Sequence, residues 1–232
     1  MSLVVPAVLP TSEQAFDDAL TLFTTLPHIT RIQIDVVDGR FASPPSWPYT
    51  APHELRRRVD AGQHLPHLER LEYEIDLMCV DAETAAASWL ALGAARLTLH
   101  AESVGSITHL IASMKKRYGH IVSLGLAINT ESSLTLIEPI LPDVSYVQVM
   151  GIARIGRQGQ PFDPRVLEKI RVLHDRHSEL AIQVDGGVSL ENAPKLIALG
   201  VTNLVVGSAL LRASDPGAVV ESFEAFEGRH GM

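Results

Sequence analysis

The stretch from Leu180 to Ser208 reads LAIQVDGGVSLENAPKLIALGVTNLVVGS and contains a complete strand, helix and strand unit. A short apolar run over 180–185 precedes a segment of helical period, which Ser189 can cap and Gly200 can end. A second apolar run over 202–206 follows directly. Two nearly continuous apolar strands joined by a helix are typical of a parallel sheet covered by helices.

The same alternation recurs along the whole chain. Short β-rich runs alternate with helical stretches, and the predicted strands cover residues 3–8, 31–36, 71–76, 95–100, 121–127, 144–150, 180–185 and 202–206. Eight strand and helix units can close into a barrel, so we predict an α/β protein with a single (β/α)8 TIM barrel and an eight-stranded parallel core. An open, doubly wound sheet is the alternative that this pattern leaves.

Length and composition favour one domain over residues 1–232. The chain has 46% hydrophobic and 20% charged residues and a formal net charge of −8. Because nucleic-acid binding needs clustered Lys and Arg, and the one local cluster, Arg56 to Arg58, is short, we expect no nucleic-acid partner. No run approaches the roughly 18 apolar residues of a membrane span, and the N-terminus lacks a basic start. A cytoplasmic protein without a membrane partner is expected.

Cysteine chemistry contributes little to this chain. Cys79 is the single cysteine, which excludes an intrachain disulfide and a cysteine-based zinc site. It follows Met78 in a hydrophobic run, and free cysteine behaves as a small hydrophobic residue. We therefore predict that Cys79 lies in the core.

Polar or polarisable residues stand at five predicted strand ends: Asp35, Asp76, His100, Met150 and Asp185. In (β/α)8 barrels the chemistry takes place at the C-terminal ends of the strands. Any one of these aspartates alone could merely cap the following turn. Five such side chains from five strands are instead expected to converge on one site.

Two glycine-containing turns late in the chain are candidate phosphate-binding segments. Gly186 and Gly187 follow the seventh predicted strand, and Gly207 and Ser208 follow the eighth. Glycine lets backbone N–H groups approach an anion, and barrel enzymes commonly hold substrate phosphate in these two loops. Glycines in such turns also occur for steric reasons alone.

Several motifs together carry a resemblance to a known family. They are IDVVDGRF at 34–41, DLMCVDAE at 76–83, LTLHAES at 97–103 and IQVDGGVSLENAPKLIALGVTNLVVGSALLRASDP at 182–216. Over nearly its whole length the chain resembles the ribulose-phosphate 3-epimerases. The resemblance implies a TIM barrel, a phosphorylated sugar as ligand, a homo-oligomer, and an acid/base pair formed by Asp35 and Asp185.

The resemblance also implies a metal ion, but the chain departs from the family pattern at that site. In the family, two histidines and two aspartates hold a divalent cation, whereas this chain has Gln33 and Asp76 at the histidine positions. Gln33, Asp35, Asp76 and Asp185 form an all-oxygen ligand set, which favours Mg²⁺ or Mn²⁺ over Zn²⁺. Without a cation, at least one of the converging carboxyl groups must be protonated.

The expected substrate-lining residues are Met150, His100, Arg154 and Arg157. Both arginines lie in GIARIGRQGQPF, 151–162, a loop that is one residue longer than in the family pattern. They can contact an additional anionic group of the substrate, or they can be solvated. Trp47 is predicted as an aromatic lid over the pocket, with rigidity of its proline-rich loop as the other interpretation.

The function predicted from the sequence is epimerisation of a phosphorylated ketose at C3, such as ribulose 5-phosphate or a related sugar, by proton transfer between two carboxyl groups. A Mg²⁺-dependent aldolase or decarboxylase on the same barrel is one alternative. Asp76-Leu77-Met78 resembles the Asp-x-Lys motif of those enzymes, although Met78 replaces the lysine. A sugar-phosphate-binding protein without activity is the other alternative.

Overall fold

The computed structural model describes residues 2–226. Eight parallel strands pair in sequence order and close into a barrel, with β8 pairing with β1. The strands are β1 (Val4–Val8), β2 (Arg31–Val37), β3 (Glu72–Met78), β4 (Arg96–His100), β5 (Ser123–Ile128), β6 (Tyr146–Met150), β7 (Ala181–Asp185) and β8 (Asn203–Val206). The predicted (β/α)8 architecture and all eight strands are confirmed.

Helices surround the barrel: α1 (Glu13–Phe23), α2 (Pro52–Asp60), α3 (Ala82–Ala91), α4 (Ile107–Tyr118), α5 (Val166–Arg176), α6 (Ala193–Ala198), α7 (Ser208–Leu211) and α8 (Pro216–Glu224). Between β5 and β6 the connection forms two 3₁₀ helices, Leu134–Leu136 and Glu138–Asp143. Pro139 and Pro142 lack a backbone N–H, which disfavours a longer α-helix there. No helix within residues 2–226 is both long and apolar enough to cross a membrane.

Two details of the predicted elements are wrong. Ser189 does not cap α6 directly, because the helix begins one turn later at Ala193 with Asn192 as its N-cap. Ser189 instead exchanges hydrogen bonds with Asn192: the Asn192 side chain accepts from the Ser189 N–H at 2.9 Å, and Ser189 Oγ accepts from the Asn192 N–H at 3.4 Å. Pro194 fits in the first turn, where no intrahelical N–H is needed.

The second correction concerns the ends of β2 and β3. The two strands extend past their predicted ends to Val37 and Met78, so Asp35 and Asp76 lie inside them. All of β2 pairs in register with β3, up to Val37 with Met78, and these apolar terminal residues are buried. His100, Met150 and Asp185 are the last residues of their strands, as predicted.

Polar side chains form layers inside the barrel, because strand side chains alternate between the two faces and paired residues share a face. The upper layer, nearest the C-terminal ends of the strands, contains Asp35, Asp76, His100, Met150 and Asp185. A second layer below it contains Gln33, Glu74, Thr98, Gln148 and Gln183, and Thr98 belongs to it because its Oγ1 donates to Glu74 Oε1 at 3.0 Å. The barrel interior is therefore polar on β2, β3, β4, β6 and β7.

The outer core is apolar and includes two residues with predicted roles. Trp47 is fully buried, stacks on Phe16 with ring centroids 4.8 Å apart, and donates from Nε1 to Glu54 at 2.8 Å. The prediction of a lid was wrong, because the large apolar ring packs between the barrel and its helices, where it is removed from water. Cys79 lies in the core as predicted, and burial raises the pKa of its thiol to about 12.

Candidate active site

A cavity opens at the C-terminal ends of the strands. On one side it is lined by the carboxyl groups of Asp35 and Asp185 and the thioethers of Met78 and Met150. On another side it is lined by Gly186, Gly207 and Ser208, and the loop after β6 covers it with residues 156–160. The cavity thus joins two of the predicted carboxylates to the predicted phosphate-binding turns.

Three carboxyl groups meet at the base of the cavity. Asp35, Asp76 and Asp185 each place an oxygen within 4.8 Å of the other two. Asp76 is fully buried and does not line the cavity, whereas Asp35 and Asp185 do. The convergence that the sequence indicated therefore exists, and only two of the three carboxyl groups are open to a ligand.

The environment of Asp35 and Asp185 favours their protonated forms. Burial, followed by the charges of Asp185 and Asp76, raises the pKa of Asp35 well above its ordinary value. Burial, followed by the charge of Asp76, raises the pKa of Asp185 to about 7. A carboxyl group with a pKa near 7, as at Asp185, can accept or donate a proton near neutral pH.

Two glutamines donate hydrogen bonds into this cluster. Gln33 Nε2 donates to Asp35 Oδ1 at 2.8 Å and to Asp185 Oδ2 at 2.9 Å. Gln148 Nε2 donates to Asp76 Oδ2 at 2.9 Å and to Asp185 Oδ2 at 3.2 Å. Each amide nitrogen therefore links two carboxyl groups and offsets their mutual repulsion.

His100 supports the cluster from behind and does not reach the ligand side. It is fully buried, and its Nε2 lies 2.9 Å from Asp76 Oδ1. Burial lowers the pKa of His100, but the charge of Asp76 and its hydrogen bond outweigh that effect and raise the pKa overall. The expected substrate-lining role of His100 is not matched, because His100 contacts Asp76 and is absent from the lining of the cavity.

Whether a metal ion fits this site depends on Gln33 as well as on the three carboxyl groups. The three carboxyl groups alone are close enough to hold one cation. Gln33, however, turns its nitrogen and not its oxygen toward Asp35 and Asp185. An amide N–H donates and cannot bind a cation, so the complete set of side chains does not fit a divalent metal in this arrangement, and Gln33 is not the oxygen ligand that the sequence indicated.

Of the four predicted phosphate-binding residues, three line the cavity and one shapes a turn. Gly186, Gly207 and Ser208 line the cavity. Gly187 does not line it, because its backbone, at φ +68°, packs against Phe162, and a Cβ there would lie 2.6 Å from the Phe162 backbone nitrogen. Gly187 therefore shapes the turn, while the other three face the ligand space.

The loop after β6 crosses the mouth of the barrel. Arg157 lines the cavity, and its Nε donates to the Ser43 carbonyl at 3.0 Å in the loop after β2. Gln158 lies over Gly207, where a Cβ would come within 2.6 Å of its Nε2. Arg154 is exposed and does not line the cavity, so the structure brings only one of the two predicted arginines to the site.

Asp38, three residues after Asp35, stabilises a turn and does not line the cavity. Its Oδ1 accepts hydrogen bonds from the N–H groups of Arg40 and Phe41 at 2.7 and 2.8 Å, and its Oδ2 accepts from Val80 at 2.9 Å. These bonds fix the turn after β2 to the end of β3, as an Asx turn does. Of the two aspartates, Asp35 alone points into the cavity.

The sequence prediction missed Glu74, Gln148 and Gln183. Each precedes an upper-layer residue of its strand by two positions, as Gln33 precedes Asp35. Because strand side chains have a period of two, this spacing places both residues on the same inward face. Repeated polar-x-polar spacing on β2, β3 and β7 was therefore a usable signal for the second layer.

Comparisons with known proteins agree with this architecture. The model of the ribulose-phosphate 3-epimerase family matches residues 4–211. Ribulose-phosphate 3-epimerase of Bacillus subtilis is 30% identical over 189 residues, covering 79% of this chain and 81% of that protein. The chloroplastic ribulose-5-phosphate-3-epimerase of Arabidopsis thaliana is 29% identical over 198 residues, covering 84% of this chain and 66% of that protein.

Solved structures of lower identity share the fold. A 3-hexulose-6-phosphate synthase from Salmonella typhimurium is 14% identical with a TM-score of 0.66, covering 99% of this chain and 100% of that one. A 3-keto-L-gulonate-6-phosphate decarboxylase from Vibrio cholerae is 14% identical with a TM-score of 0.68, covering 98% of each chain. At these identities the likeness concerns the barrel alone.

Proposed function

Because the chain belongs to the ribulose-phosphate 3-epimerase family, we propose that it epimerises a phosphorylated ketose, ribulose 5-phosphate or a related sugar, at C3. The observation that carries this proposal is the pair of carboxyl groups, Asp35 and Asp185, on two different strands of one cavity. Both have a raised pKa, and the glycine turns that can hold phosphate line the same cavity.

In the proposed reaction, an ionised carboxylate removes the C3 proton on one face of the substrate. The electron pair of the C–H bond moves toward the carbonyl and gives an enediolate. The second carboxyl group, protonated at the start, delivers its proton to the opposite face of C3. Asp35 and Asp185 exchange these roles in the reverse direction, and burial raises the pKa of both, that of Asp185 to about 7.

The remaining lining residues position the substrate. Backbone N–H groups at Gly186, Gly207 and Ser208 are suited to bind the phosphate oxygens. Arg157, held by Ser43, adds positive charge on the loop that covers the cavity. Met78 and Met150 supply a polarisable, water-excluding surface near the reacting carbon.

An aldolase or decarboxylase reaction has less support from the site. The cavity residue at the position of the catalytic lysine in those enzymes is Met78, which has no proton to donate. A binding protein without activity would hold the same phosphate and leave C3 unchanged. The direction of the Gln33 amide counts against the sequence-based expectation of Mg²⁺ or Mn²⁺, which elemental analysis of the purified protein tests.

The proposal is tested by incubating the protein in D₂O with a panel of ketose phosphates and following the C3 position by NMR. We expect deuterium at C3 together with formation of the C3 epimer for at least one sugar. Formaldehyde or CO₂ release would indicate the aldolase or decarboxylase alternative. Thermal stabilisation by a sugar phosphate without exchange, with and without added divalent cations, would indicate a binding protein.

A further inference from the structure

A hydrogen-bond chain through the second layer fixes which way the glutamine amides point. Glu74 is fully buried and forms an ion pair with Arg96 at 2.9 Å, so its carboxylate accepts hydrogen bonds and has none to donate. Gln183 lies 2.5 Å from Glu74 Oε1, and that contact requires the amide nitrogen of Gln183. The floor of the barrel thereby determines the orientation of Gln183.

The orientation of the Gln183 amide then favours one direction for the amides of Gln148 and Gln33. The two N–H groups of Gln183 point to Glu74 Oε1 at 2.5 Å and to Gln148 Oε1 at 2.6 Å, so the Gln148 atom there is an acceptor. Gln33 Oε1 lies 3.3 Å from the same nitrogen, a weaker contact in which an oxygen is favourable and a second N–H group is not. The oxygens of Gln33 and Gln148 therefore face downward. Their nitrogens face upward to the carboxyl groups, since the oxygen and nitrogen of an amide point in different directions.

The amide nitrogens lie where a cation would have to bind. Gln33 Nε2 is almost equidistant from Asp35 Oδ1 and Asp185 Oδ2, at 2.8 and 2.9 Å. Mg²⁺ or Mn²⁺ shared by these oxygens would lie at about 2.1 Å from each, in contact with the N–H hydrogens that already bridge them. Turning the Gln33 amide over would place its N–H group 3.3 Å from the amide nitrogen of Gln183, which cannot accept a hydrogen bond.

We propose that the amide groups of Gln33 and Gln148 replace a divalent cation at the Asp35, Asp76 and Asp185 cluster, so that the site functions without a metal. This inference rests on the proposed function where it concerns turnover. In this account the two amides offset carboxylate repulsion by neutral hydrogen bonds. Both glutamines are fully buried, so they act as positioning residues and do not touch the substrate.

A direct test measures Mn²⁺ binding to chelator-treated protein by electron paramagnetic resonance, a readout that does not depend on activity. We expect no stoichiometric Mn²⁺ binding by the wild-type protein. In Gln33→Glu the donor becomes a fourth carboxylate of the same shape, so this variant is expected to bind one Mn²⁺ and to gain thermal stability when Mn²⁺ is added. Gln148→Glu provides a second variant at the other bridge, should Gln33→Glu fail to fold.

The matched control is Gln160→Glu. Gln160 also lines the cavity, but its amide donates to the carbonyls of Arg154 and Arg157 and does not bridge the carboxyl groups. The same change of charge at this position is expected to create no Mn²⁺ site. Binding by Gln33→Glu together with no binding by Gln160→Glu would therefore locate the effect at the cluster.

The inference is overturned if the wild-type protein binds one equivalent of Mn²⁺ and Asp76→Asn loses it. It is also overturned if chelator treatment abolishes C3 exchange and Mg²⁺ or Mn²⁺ restores it, whereas we expect the treated enzyme to keep its rate within about twofold. If no ketose phosphate exchanges under any condition, the proposed function fails. The Mn²⁺ measurement still decides the present inference in that case.

Discussion

At the scale of single residues, two aspartates three positions apart on and after β2 have different environments. Asp35 points into the cavity and has a raised pKa, whereas Asp38 accepts three backbone hydrogen bonds that fix a turn. Asp185 reaches the cavity from β7, linked to Asp35 by the Gln33 amide. The proposed proton transfer therefore depends on Asp35 and Asp185, and substitutions there test it.

Replacing either acid by its amide removes one proton carrier and preserves shape. We expect Asp35→Asn and Asp185→Asn each to lower kcat for epimerisation by about 10²- to 10⁴-fold. Each variant retains one of the two acids, so each is expected to exchange the C3 proton of one epimer only. Steady-state kinetics and exchange from both epimers measure this, and unimpaired epimerisation by either variant would contradict the two-acid mechanism.

The raised pKa of Asp185 also predicts a pH dependence of stability. Its pKa is about 7 in the folded protein and about 3.9 in an unfolded chain. Between these values the folded state binds more protons, so the free energy of unfolding decreases as pH rises from about 4 to about 7. Because an asparagine at this position cannot ionise, Asp185→Asn is expected to exceed the wild-type stability at pH 8 by about 2 kcal/mol, allowing for partial exposure to the cavity.

Urea denaturation at pH 5 and pH 8 measures this difference. Asp60→Asn, at the exposed end of α2, is the control and should follow the wild-type pH dependence. An identical pH dependence of stability for Asp185→Asn and the wild-type protein would mean that Asp185 keeps an ordinary pKa after folding.

At the scale of elements, the loop after β6 determines how the cavity is covered. Gly156 packs against Val37 and Ala42, where a Cβ would come within 3.2 Å of each, and Arg157 bonds the Ser43 carbonyl. The loop therefore contacts the loop after β2, on the other side of the mouth. Substrate binding should depend on the one arginine that this arrangement brings to the cavity.

We expect Arg157→Ala to raise KM for a ketose phosphate about tenfold, with kcat within about threefold, because a charge-assisted contact to the substrate is lost in both ground and transition states. Arg154→Ala is the matched control on the same loop, since Arg154 is exposed away from the cavity. Equal KM changes for the two variants, measured by steady-state kinetics, would contradict a specific Arg157 contact. They would show that the net positive charge of the loop affects KM.

The elements themselves were largely predictable, because strand periodicity and turn residues are local properties. The ends of β2 and β3 were placed too early, since Asp35 and Asp76 look like strand terminators when pairing with a neighbour is unknown. Trp47 was misplaced for the same reason, because its packing partners, Phe16 and Trp89, come from distant parts of the chain. Local sequence shows that a side chain is polar or aromatic, but strand pairing and tertiary packing determine which residues it contacts.

The candidate site was also predictable from the sequence only in part. The gathering of Asp35, Asp76 and Asp185 could be predicted from the position of the strands in a barrel. The direction of the Gln33 amide could not, because it depends on Glu74 and Gln183 in the second layer. The sequence shows a glutamine at position 33 but does not show whether its amide oxygen or its amide nitrogen faces the carboxyl groups. The hydrogen-bond network of the second layer determines that.

At the scale of the whole molecule, the packing inside the barrel favours a glycine in β5. Gly125 pairs with Tyr146 of β6, and the Tyr146 ring lies across it, with its Oη 2.8 Å from Thr98 Oγ1. A Cβ at Gly125 would come within 2.1 Å of the ring. The ring thereby fills the lower interior between β4 and β6, below the layer that contains Gln148.

We expect Gly125→Ala to reduce the free energy of unfolding by about 3 kcal/mol, because the buried Tyr146 ring has to move. Gly105→Ala is the control, since a Cβ at Gly105 meets no atom within 4 Å. Urea denaturation of both variants measures the difference. A Gly125→Ala variant as stable as the wild-type protein would contradict the close contact between β5 and Tyr146.

The homo-oligomer implied by the family resemblance stays a prediction, and sedimentation equilibrium decides it. The scattered exposed apolar residues of the described chain, such as Ile121 and Leu136, form no basis for a specific interface.

The central claim is that Asp35 and Asp185 transfer protons to and from C3 of a ketose phosphate. Its most direct test is NMR of ribulose 5-phosphate and related sugars incubated in D₂O with the wild-type protein. The account predicts that deuterium enters C3 as the C3 epimer forms, and that Asp35→Asn and Asp185→Asn do not interconvert the epimers at a comparable rate. Absence of C3 exchange with every ketose phosphate, with or without divalent cations, would contradict it.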